Sequence, residues 1–434
     1  MVPASRAVAA AASSDASLLS SPATPQPPRL PTRTCPACGQ NCVKPGVFER
    51  HLGACCPDLV SRSAWRAALE DGSEERVLAA AAAVEAALRA DAVRLAFRTT
   101  DPATGDPIRR SAAEVAAVLG LPVPRVAAAL KLAMRAVPLA IDRQPVDVLY
   151  EDAHVIAFAK PSGLITSPKH RYTGGSLVNR AIAHLQGVAP FPVHRLDMFT
   201  SGVVVMGKNA RAAAGLHAQF RERTAVKRYL ALVVGRLGGG GDGGDQPTSA
   251  FAIRDPSYPA GAFAVACPIG RHPGHEVARA LLAPDDPDGS PSLTLFRPVA
   301  VSGALGPDGP ALAGVVPAPL ARAGTLASLA RGATLLCAAP RTGRTHQIRV
   351  HAAAAGHPLV GDDLYGALVP WAPRQLLHAA TLDLVHPVSG EALALAAPLP
   401  ADFLAALALV GLSVPTELAS NLPVMDGWGP DPPC

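Results

Sequence analysis

The sequence of this chain holds both strand-like and helical segments. Short apolar runs predict strands at residues 203–205, 228–234 and 333–338. Helical patterns occupy much of residues 61–137, and another predicted helix runs from 346 to 355. With 434 residues, the chain is long enough for two or three domains.

Composition narrows the class of protein without indicating a function. The chain is 49% hydrophobic but only 4% aromatic, and alanine supplies much of the apolar count, which blurs helix and strand periodicity. Its formal net charge of +5 suits a polyanionic partner, although a surplus this small is also ordinary for soluble proteins. No apolar run reaches the roughly 18 residues that a membrane span needs, so we expect no membrane partner.

Residues 1–33 are rich in Ala, Ser and Pro, and they carry Arg6, Arg29 and Arg33 against a single acid, Asp15. A segment of this composition cannot bury a core. It is also typical of a transit peptide, which would direct the protein to a chloroplast or mitochondrion. A disordered tail without an address, in a protein of the cytoplasm or nucleus, is the alternative.

A cysteine-rich segment at residues 34–57 predicts a small zinc finger of C2HC type. Cys35 and Cys38 form a CxxC pair, and His51 and Cys55 follow, one helical turn apart. Two thiolates in a tight turn, with a His and a Cys on one helix face, can close a tetrahedron around a structural Zn²⁺. Free cysteines in a reducing compartment are the alternative interpretation. Such a finger would bind RNA or another protein, and the sequence does not choose between them.

The helical region at residues 61–137 contains a start signal and a turn. Ser111 and Glu114 fit a capping box that opens a helix, and Gly120 begins a turn before a second helix at residues 125–135. This order fits a helix-turn-helix, but a plain helical hairpin that packs on its neighbours is the simpler interpretation.

The most informative motif of the chain runs from His194 to Gly202 and reads HRLDMFTSG. It places the carboxylate of Asp197 two residues after Arg195 and just before the apolar run at 203–205. A carboxylate beside a guanidinium favours its ionised form, and a fixed, ionised carboxylate is what nucleophilic attack at a sugar or base carbon requires. For an isolated motif, a surface turn with a salt bridge would be the better interpretation.

HRLDMFTSG resembles the HRLDxxTSG motif of the RluA-type RNA pseudouridine synthases. Three further segments resemble that family in the right order, namely YEDAHVIAFAKPSG from Tyr150, KRYLALVVG from Lys227 and TGRTHQIRVH from Thr342. The resemblance implies an α+β pseudouridine synthase fold, in which a mixed, mainly antiparallel sheet carries flanking helices. The zinc finger and the helical region would precede this fold in the chain.

The same resemblance sets the limits of the domains. It implies a catalytic domain over residues 146–408, with insertions at 238–247 and 281–330, and a tail at 410–434. The insertions are rich in Gly and Pro, which is typical of surface loops. The tail has no periodic pattern and is expected to be poorly ordered.

The resemblance also implies a reaction and a partner. The family isomerises uridine to pseudouridine in structured RNA, which for this chain would be ribosomal, transfer or organellar RNA, and the protein would act as a monomer. The reaction breaks the N1–C1′ bond, rotates the uracil and joins C5 to C1′. Nothing is oxidised and no group is imported, so catalysis needs no cofactor.

Three residues would be catalytic by this resemblance. Asp197 would attack C1′ of the ribose or abstract a 2′ proton, and both routes stay open. Tyr229 would stack on the target base and is a candidate to remove the C5 proton. Arg344, beside a helix N-terminus predicted at Thr345, would pair with Asp197, and Arg349 is the alternative for that role.

Four other residues would shape the substrate site. Arg195 would extend into the RNA and fill the gap left by a uridine that has flipped out of its stack. His194 would orient the loop rather than transfer protons, and Lys160 would shape the floor of the site. Leu336, on the strand predicted at 333–338, would wall the uracil pocket.

Two other classes of function compete with this interpretation. A zinc-finger RNA-binding or assembly factor could carry a non-catalytic synthase domain. A hydrolytic glycosidase would need a second carboxylate opposite Asp197, and the four motifs offer none in a suitable place.

Overall fold

The computed structural model of the chain describes most of its second half and parts of its first. The described residues are 33–34, 41–42, 74–97, 99–100, 107–108, 110–136, 138–171, 173–238, 247, 251–305, 314, 316–321 and 325–413. The predicted zinc ligands Cys35, Cys38, His51 and Cys55 lie outside these ranges, so the zinc finger stays a prediction. Among the described residues, no group of three or more His, Cys, Asp or Glu side chains could hold a metal ion.

The chain divides into two compact units, Met1–Ala136 and Val137–Cys434. The described helices of the first unit are α1 (Glu74–Phe97), α2 (Ala112–Leu119) and α3 (Val123–Ala136). Its two strand pairs are β1 (Arg33–Thr34) with β2 (Asn41–Cys42) and β3 (Thr99–Thr100) with β4 (Pro107–Ile108). Buried side chains from all three helices, among them Ala92, Val115 and Val126, form one small core.

Helix α2 begins and ends where the sequence signals lie. The Ser111 hydroxyl accepts a hydrogen bond from the Glu114 N–H (3.3 Å), and the Glu114 carboxylate accepts one from the Ser111 N–H (2.7 Å), so the predicted capping box is confirmed. Gly120 follows the helix in the left-handed conformation, with φ 64°. Helices α2 and α3 are bent by 115°, an angle in the range of helix-turn-helix motifs. No single described helix is long and apolar enough to cross a membrane, although α2 and α3 together pass that test by length and composition.

The second unit contains one large sheet and several short strand pairs. Its described strands are β5 (Asp147–Glu151), β6 (Val155–Lys160), β7 (Phe191–Pro192), β8 (Ser201–Gly207), β9 (Val226–Val234), β10 (Ala252–Ile253), β11 (Phe263–Ala266), β12 (Ile269–Arg271), β13 (Arg279–Leu281), β14 (Leu293–Val301), β15 (Val316–Pro317), β16 (Ala333–Pro340), β17 (Ala367–Leu368), β18 (Leu377–Val385) and β19 (Ala392–Ala396). Its described helices are α4 (Leu177–His184), α5 (Ala210–Glu222), α6 (Thr325–Arg331), α7 (Gln347–Ala354) and α8 (Ala401–Leu409).

Eleven of the described strands form the large sheet. Nine follow the order β10-β11-β14-β16-β9-β18-β8-β6-β5, with β19 paired to β18 and β7 paired to β8. The pairing of β8 with β18 is parallel, and the other pairings in this sheet are antiparallel. The prediction of an α+β fold with a mixed, mainly antiparallel sheet is confirmed.

The centre of this sheet positions the motifs found in the sequence. HRLDMFTSG leads into β8, which lies beside β18, and β9 lies on the other side of β18. Gly202 of the motif has φ 119°, and a Cβ there would lie 2.1 Å from the Ala379 carbonyl oxygen on β18, so the close approach requires glycine. Tyr229 on β9 pairs with the same Ala379. The loop that carries Asp197 and the strand that carries Tyr229 therefore flank one common strand.

One predicted insertion contains a strand of the central sheet. β14 lies inside the segment 281–330, and it pairs with β11 on one side and β16 on the other. The Gly- and Pro-rich runs that indicate surface loops lie mainly on either side of this strand, at residues 284–291 and 300–323, and the insertion itself stays a prediction. The register shifts between Pro298 and Ala300, at an irregularity of the kind where a strand tolerates proline.

The predicted tail begins too early in the sequence. Val410 and Leu412 are 2% and 8% exposed, and they pack in the same core cluster as Phe403 of α8. The prediction of a poorly ordered segment from residue 410 was therefore wrong for its first residues. Residues 414–434 lie outside the part of the chain that the structure describes.

Candidate active site

Asp197 lines a cavity of about 490 Å³ at the centre of the large sheet. The loop at residues 194–200, the Asp197 loop, closes with a hydrogen bond from the Thr200 N–H to the Asp197 carbonyl (3.1 Å). The structure brings five of the predicted site residues together around this cavity, namely Arg195, Asp197, Tyr229, Arg344 and Arg349. Segments far apart in the chain thus meet at one place.

Lys160 holds the Asp197 loop from behind. Its Nζ is buried and donates hydrogen bonds to the carbonyl oxygens of Pro161 (2.9 Å), Leu164 (2.7 Å) and Met198 (3.0 Å). Met198 directly follows Asp197, so this ammonium group ties the end of β6 to the loop. Burial lowers the pKa of Lys160 to about 7, while the charge of Asp197 opposes that shift.

Arg374, which no sequence motif indicates, binds the next carbonyl of the Asp197 loop. Its Nη1 donates to the Phe199 carbonyl (3.1 Å), and its Nε and Nη2 bind the Asp402 carboxylate at 2.6 and 3.0 Å. The hydrogen bonds from Arg374 lower the pKa of Asp402. Phe199 and Asp402 lie 175 and 28 residues from Arg374 in the chain, so no local pattern could indicate these contacts.

His194 is a neutral hydrogen-bond acceptor at the start of the Asp197 loop. Its Nε2 accepts a hydrogen bond from the Val205 N–H (3.0 Å), and its ring stacks on Phe220 with 4.6 Å between the ring centres. Burial, and then the charge of Lys227, lower the pKa of His194 to about 3, so the ring is uncharged near neutral pH. These contacts fit an orienting role.

Tyr229 lines the cavity from β9, two strands away from the Asp197 loop in the sheet. Its ring packs against two apolar clusters, one that contains Leu377 and one that contains Leu196. Burial raises the pKa of Tyr229, and the charge of Asp197 raises it further. The phenol is therefore protonated at neutral pH.

The two candidate arginines differ in their partners. Arg349 is 4% exposed, and it binds Asp362 through Nε and Nη2 (both 2.7 Å) and Asp363 through Nη2 (2.6 Å). Arg344 is exposed, and its Nε donates to the Pro291 carbonyl (3.2 Å). No salt bridge within 4.0 Å joins either arginine to Asp197, all three being described residues, so the predicted Arg344–Asp197 pair does not form in this structure.

The charge of Asp197 nevertheless reaches one of these two arginines. Burial lowers the pKa of Arg349, but its hydrogen bonds to Asp362 and the charges of Asp362, Asp363 and Asp197 outweigh burial and raise it. Arg349, the alternative predicted partner of Asp197, thus lines the same cavity and lies within electrostatic reach of the Asp197 carboxylate.

A family model and three relatives match this chain. The model described as RNA pseudouridylate synthase matches residues 154–354. An uncharacterized RNA pseudouridine synthase of Synechocystis sp. is 34% identical over 279 residues, which are 62% of this chain and 70% of that protein. The chain belongs to the RNA pseudouridine synthase family. The family predicted from the four motifs is thereby confirmed.

The other two relatives of this synthase carry the same name. Ribosomal large subunit pseudouridine synthase D of Nitrosomonas europaea is 33% identical over 61% of this chain, which spans 64% of that protein. The protein of that name in Pseudomonas aeruginosa is 32% identical over 61% of this chain and 71% of its own length. The chain is also similar to the solved structure titled Human RNA Pseudouridylate Synthase Domain Containing 1, with 23% identity and a TM-score of 0.42. The match covers 60% of this chain and 85% of the chain in that structure.

Gln347, rather than Thr345, organises the start of α7 in this synthase. The helix begins at Gln347 after His346, which has φ 58°, so the predicted N-cap at Thr345 was wrong. The Gln347 Oε1 accepts hydrogen bonds from the Arg344 N–H (3.0 Å) and the Thr342 hydroxyl (2.7 Å). Its Nε2 donates to the Leu293 carbonyl (2.9 Å). These bonds hold residues 342–344 in the cavity wall.

Leu336 packs in the core of the synthase domain and does not line the cavity. On β16 it pairs with Ala231, whereas Ala338 pairs with Tyr229. Leu336 therefore lies on the same face of the sheet as Tyr229. It is two residues further from the cavity than Ala338, and it is fully buried. The prediction that it walls the pocket was wrong. The apolar wall consists of Leu196, Pro340, Ile348 and Leu377.

A second cavity of the synthase, about 1130 Å³ in volume, adjoins the first. The two cavities share the lining residues Arg195, Lys227, Tyr229, Thr342, Gly343 and Arg344. The end of α5 and the residues that follow it add His217, Phe220, Arg221 and Arg223 to the second cavity, and the end of β16 leads to Arg341. None of the described residues that line it is acidic, so its wall is strongly basic.

Proposed function

We propose that this protein converts uridine to pseudouridine in RNA and that Asp197 carries out the reaction. One observation supports this most. Among the described residues that line the 490 Å³ cavity, Asp197 is the only acid. A glycoside hydrolase uses two carboxylates that flank the scissile bond, and this cavity offers one. A single carboxylate fits an isomerisation, in which no water attacks and the base returns to the same ribose carbon.

The chemistry of the other cavity residues supports specific steps. As an anion, Asp197 can attack C1′ or take a 2′ proton, and both routes place it against the same ribose. Tyr229 suits stacking on the uracil and passing a proton as a neutral phenol, because its raised pKa makes a phenolate base costly near neutral pH. Thr200 has a buried hydroxyl with no partner among the described residues, so it can bind the substrate from the same wall.

Entry of the uridine requires that it leave its stack. Chemistry at C1′ and C5 cannot occur inside a helix, so the nucleotide must turn out into the cavity. Arg195 is exposed and lines both cavities, a position from which its side chain can occupy the gap left in the RNA. No cofactor enters this scheme, because the reaction is an isomerisation.

We infer that the substrate is ribosomal RNA. Two relatives that are about one third identical to this chain are named for the large ribosomal subunit. The predicted transit peptide at residues 1–33 would place that substrate in a chloroplast or mitochondrion. The predicted zinc finger would add a second contact with RNA or with a protein.

An assay of pseudouridine formation tests the proposal. The wild type, Asp197→Asn and the control Asp285→Asn, which alters an exposed aspartate, are incubated with large-subunit ribosomal RNA transcripts. Carbodiimide modification and primer extension then locate pseudouridine. We expect the wild type and Asp285→Asn to modify the RNA, and Asp197→Asn to be slower by about 10⁴-fold or more, with nearly unchanged RNA affinity.

Two outcomes would contradict the proposal in different ways. Normal activity in Asp197→Asn would show that another group does the chemistry. If the wild type binds RNA but modifies none, and Asp197→Asn still supports growth of cells that lack the wild-type protein, the protein is an RNA-binding factor with a non-catalytic synthase domain.

A further inference from the structure

The second cavity contains a cluster of cations that the proposed reaction does not use. Arg223, Lys227 and Arg341, the groove cations, line it together. Burial, and then the charges of Arg223 and Arg341, lower the pKa of Lys227 to about 8. Arg223 and Arg341 are therefore each close enough to Lys227 to repel its ammonium group. Repulsion of this kind is relieved when an anion binds among the cations.

The protein supplies no carboxylate to this cavity from its described residues. The acid next to Arg223 in the chain, Glu222, is exposed and pairs with Arg221 (3.1 Å). Lys227 donates one hydrogen bond among the described residues, to the Thr342 carbonyl (3.0 Å). An ammonium group has three N–H donors, so two of them can bind a ligand.

Arg223 has a backbone conformation that arginine rarely adopts. It follows α5 with φ 62° and ψ 26°, in the left-handed region. Glycine is the usual residue at such a helix end, because a Cβ is strained there. Strained backbone of this kind is concentrated at functional sites, so the Arg223 guanidinium in this cavity is a candidate for ligand binding.

We propose that the groove cations bind a phosphodiester of the RNA strand beside the reacting uridine. This inference rests on the proposed function, since it takes the ligand to be RNA. The two cavities share Arg195, Lys227 and Tyr229. When the uridine of an RNA strand enters the first cavity, the phosphate next to that uridine therefore lies in the second cavity. A guanidinium can bind two phosphate oxygens at once, and an ammonium adds a compact charge.

Fluorescence anisotropy with a labelled hairpin transcript of large-subunit ribosomal RNA, over a series of salt concentrations, tests the proposal. Every variant carries Asp197→Asn, so binding is measured without turnover. Arg223→Gly removes the charge and suits φ 62°, so its melting temperature should equal or exceed that of the parent. We expect several-fold weaker binding and a log–log salt slope smaller by about 0.7–0.9, the change for one lost phosphate contact.

Two control variants separate this site from a general effect of charge. Arg223→Lys keeps both the charge and the backbone conformation, so it should bind RNA nearly as the parent does. Arg211→Gln removes one charge at the exposed start of α5, outside both cavities, and should leave the salt slope unchanged. Equal slopes for the parent and Arg223→Gly, or an equal loss in Arg211→Gln, would overturn the phosphate site. If the wild type forms no pseudouridine, that result would contradict the proposed function and would not decide whether the groove cations bind a phosphate.

Discussion

The wall behind the Asp197 loop and the adjoining groove use positive charge in opposite ways. Lys160, Arg349 and Arg374, the framework cations, are 1%, 4% and 4% exposed, and each donates several hydrogen bonds to protein oxygens. The groove cations line an open cavity without a carboxylate among its described lining residues. The two lysines show the contrast best: three carbonyl oxygens accept from Lys160 and one accepts from Lys227.

This difference separates the cations that build the site from those that meet the RNA. A buried cation whose donors are all in use cannot change partners without disrupting the segment that it holds. A cation surrounded by like charges is stabilised when an anion binds beside it. Substitutions of framework cations should therefore change stability or turnover, whereas substitutions of groove cations should change RNA affinity.

The largest expected effect is the loss of stability in Arg349→Met. This change leaves Asp362, which is 0% exposed, without the guanidinium that binds both of its carboxylate oxygens. Breaking a buried ion pair in this way lowers the free energy of unfolding by about 3–5 kcal/mol. Urea denaturation measures the loss. The control Arg344→Met alters an exposed arginine and should change stability by about 0.5 kcal/mol or less. Equal losses of stability in Arg349→Met and Arg344→Met would contradict the structural role proposed for the framework cations.

A smaller effect, on turnover, is expected for Lys160→Met. Without the ammonium, the Met198 carbonyl loses its buried donor and the Asp197 loop can shift. A displacement of about 1 Å at the reacting group can cost roughly 10²-fold in rate, so kcat should fall by about that factor while RNA affinity and its salt slope stay the same. Single-turnover kinetics separate the two quantities. Lys169→Met, at an exposed lysine, is the control. Unchanged kcat with weakened binding would place Lys160 among the groove cations.

The smallest expected effect concerns the pH dependence of RNA binding. The pKa of Lys227 is lowered to about 8, so in the free protein the ammonium loses its proton as the pH rises through that value. RNA binds more tightly to the protein when Lys227 is charged. The affinity for RNA should therefore be highest below pH 8 and should fall above it, by no more than about tenfold per pH unit. The groups that face Lys227 include Arg223 and Arg341, whose charges help to lower its pKa, and His194, which has a pKa of about 3 and stays neutral in this range.

Lys227→Arg gives the matched comparison for this pH effect. The guanidinium stays charged throughout the range, so the variant should bind RNA with a flatter pH profile. Anisotropy titrations of both proteins between neutral and mildly alkaline pH provide the measurement. The same decline in both would show that Lys227 does not account for it.

Sequence reasoning found two residues that line the first cavity because each lies in a motif of particular residues at short spacing. Asp197 and Tyr229 each lie in a motif where the neighbours along the chain carry the information. The capping box at Ser111 was predictable for the same reason, since all of its bonds lie within four residues.

What the sequence could not show depends on strand order and register. Lys160 reaches Met198 over 38 residues and Arg374 reaches Phe199 over 175 residues, and both contacts exist only in the folded sheet. Leu336 was misplaced because the residue of β16 that lines the cavity is Pro340, at the end of the strand, while Leu336 lies in the core. The place of β14 in the sheet depends on its pairing with β11 and β16, which the Gly- and Pro-rich runs on either side of it do not indicate.

The position of β18 in the sheet has a consequence for the order of assembly during translation. β18 lies between β8 and β9, yet it is synthesised long after both of them. Asp197 and Tyr229 cannot be brought to their shared strand until residues 377–385 have left the ribosome, and the Arg374–Asp402 pair needs residue 402 as well. A nascent chain therefore stays without a working cleft until nearly all of the domain has emerged.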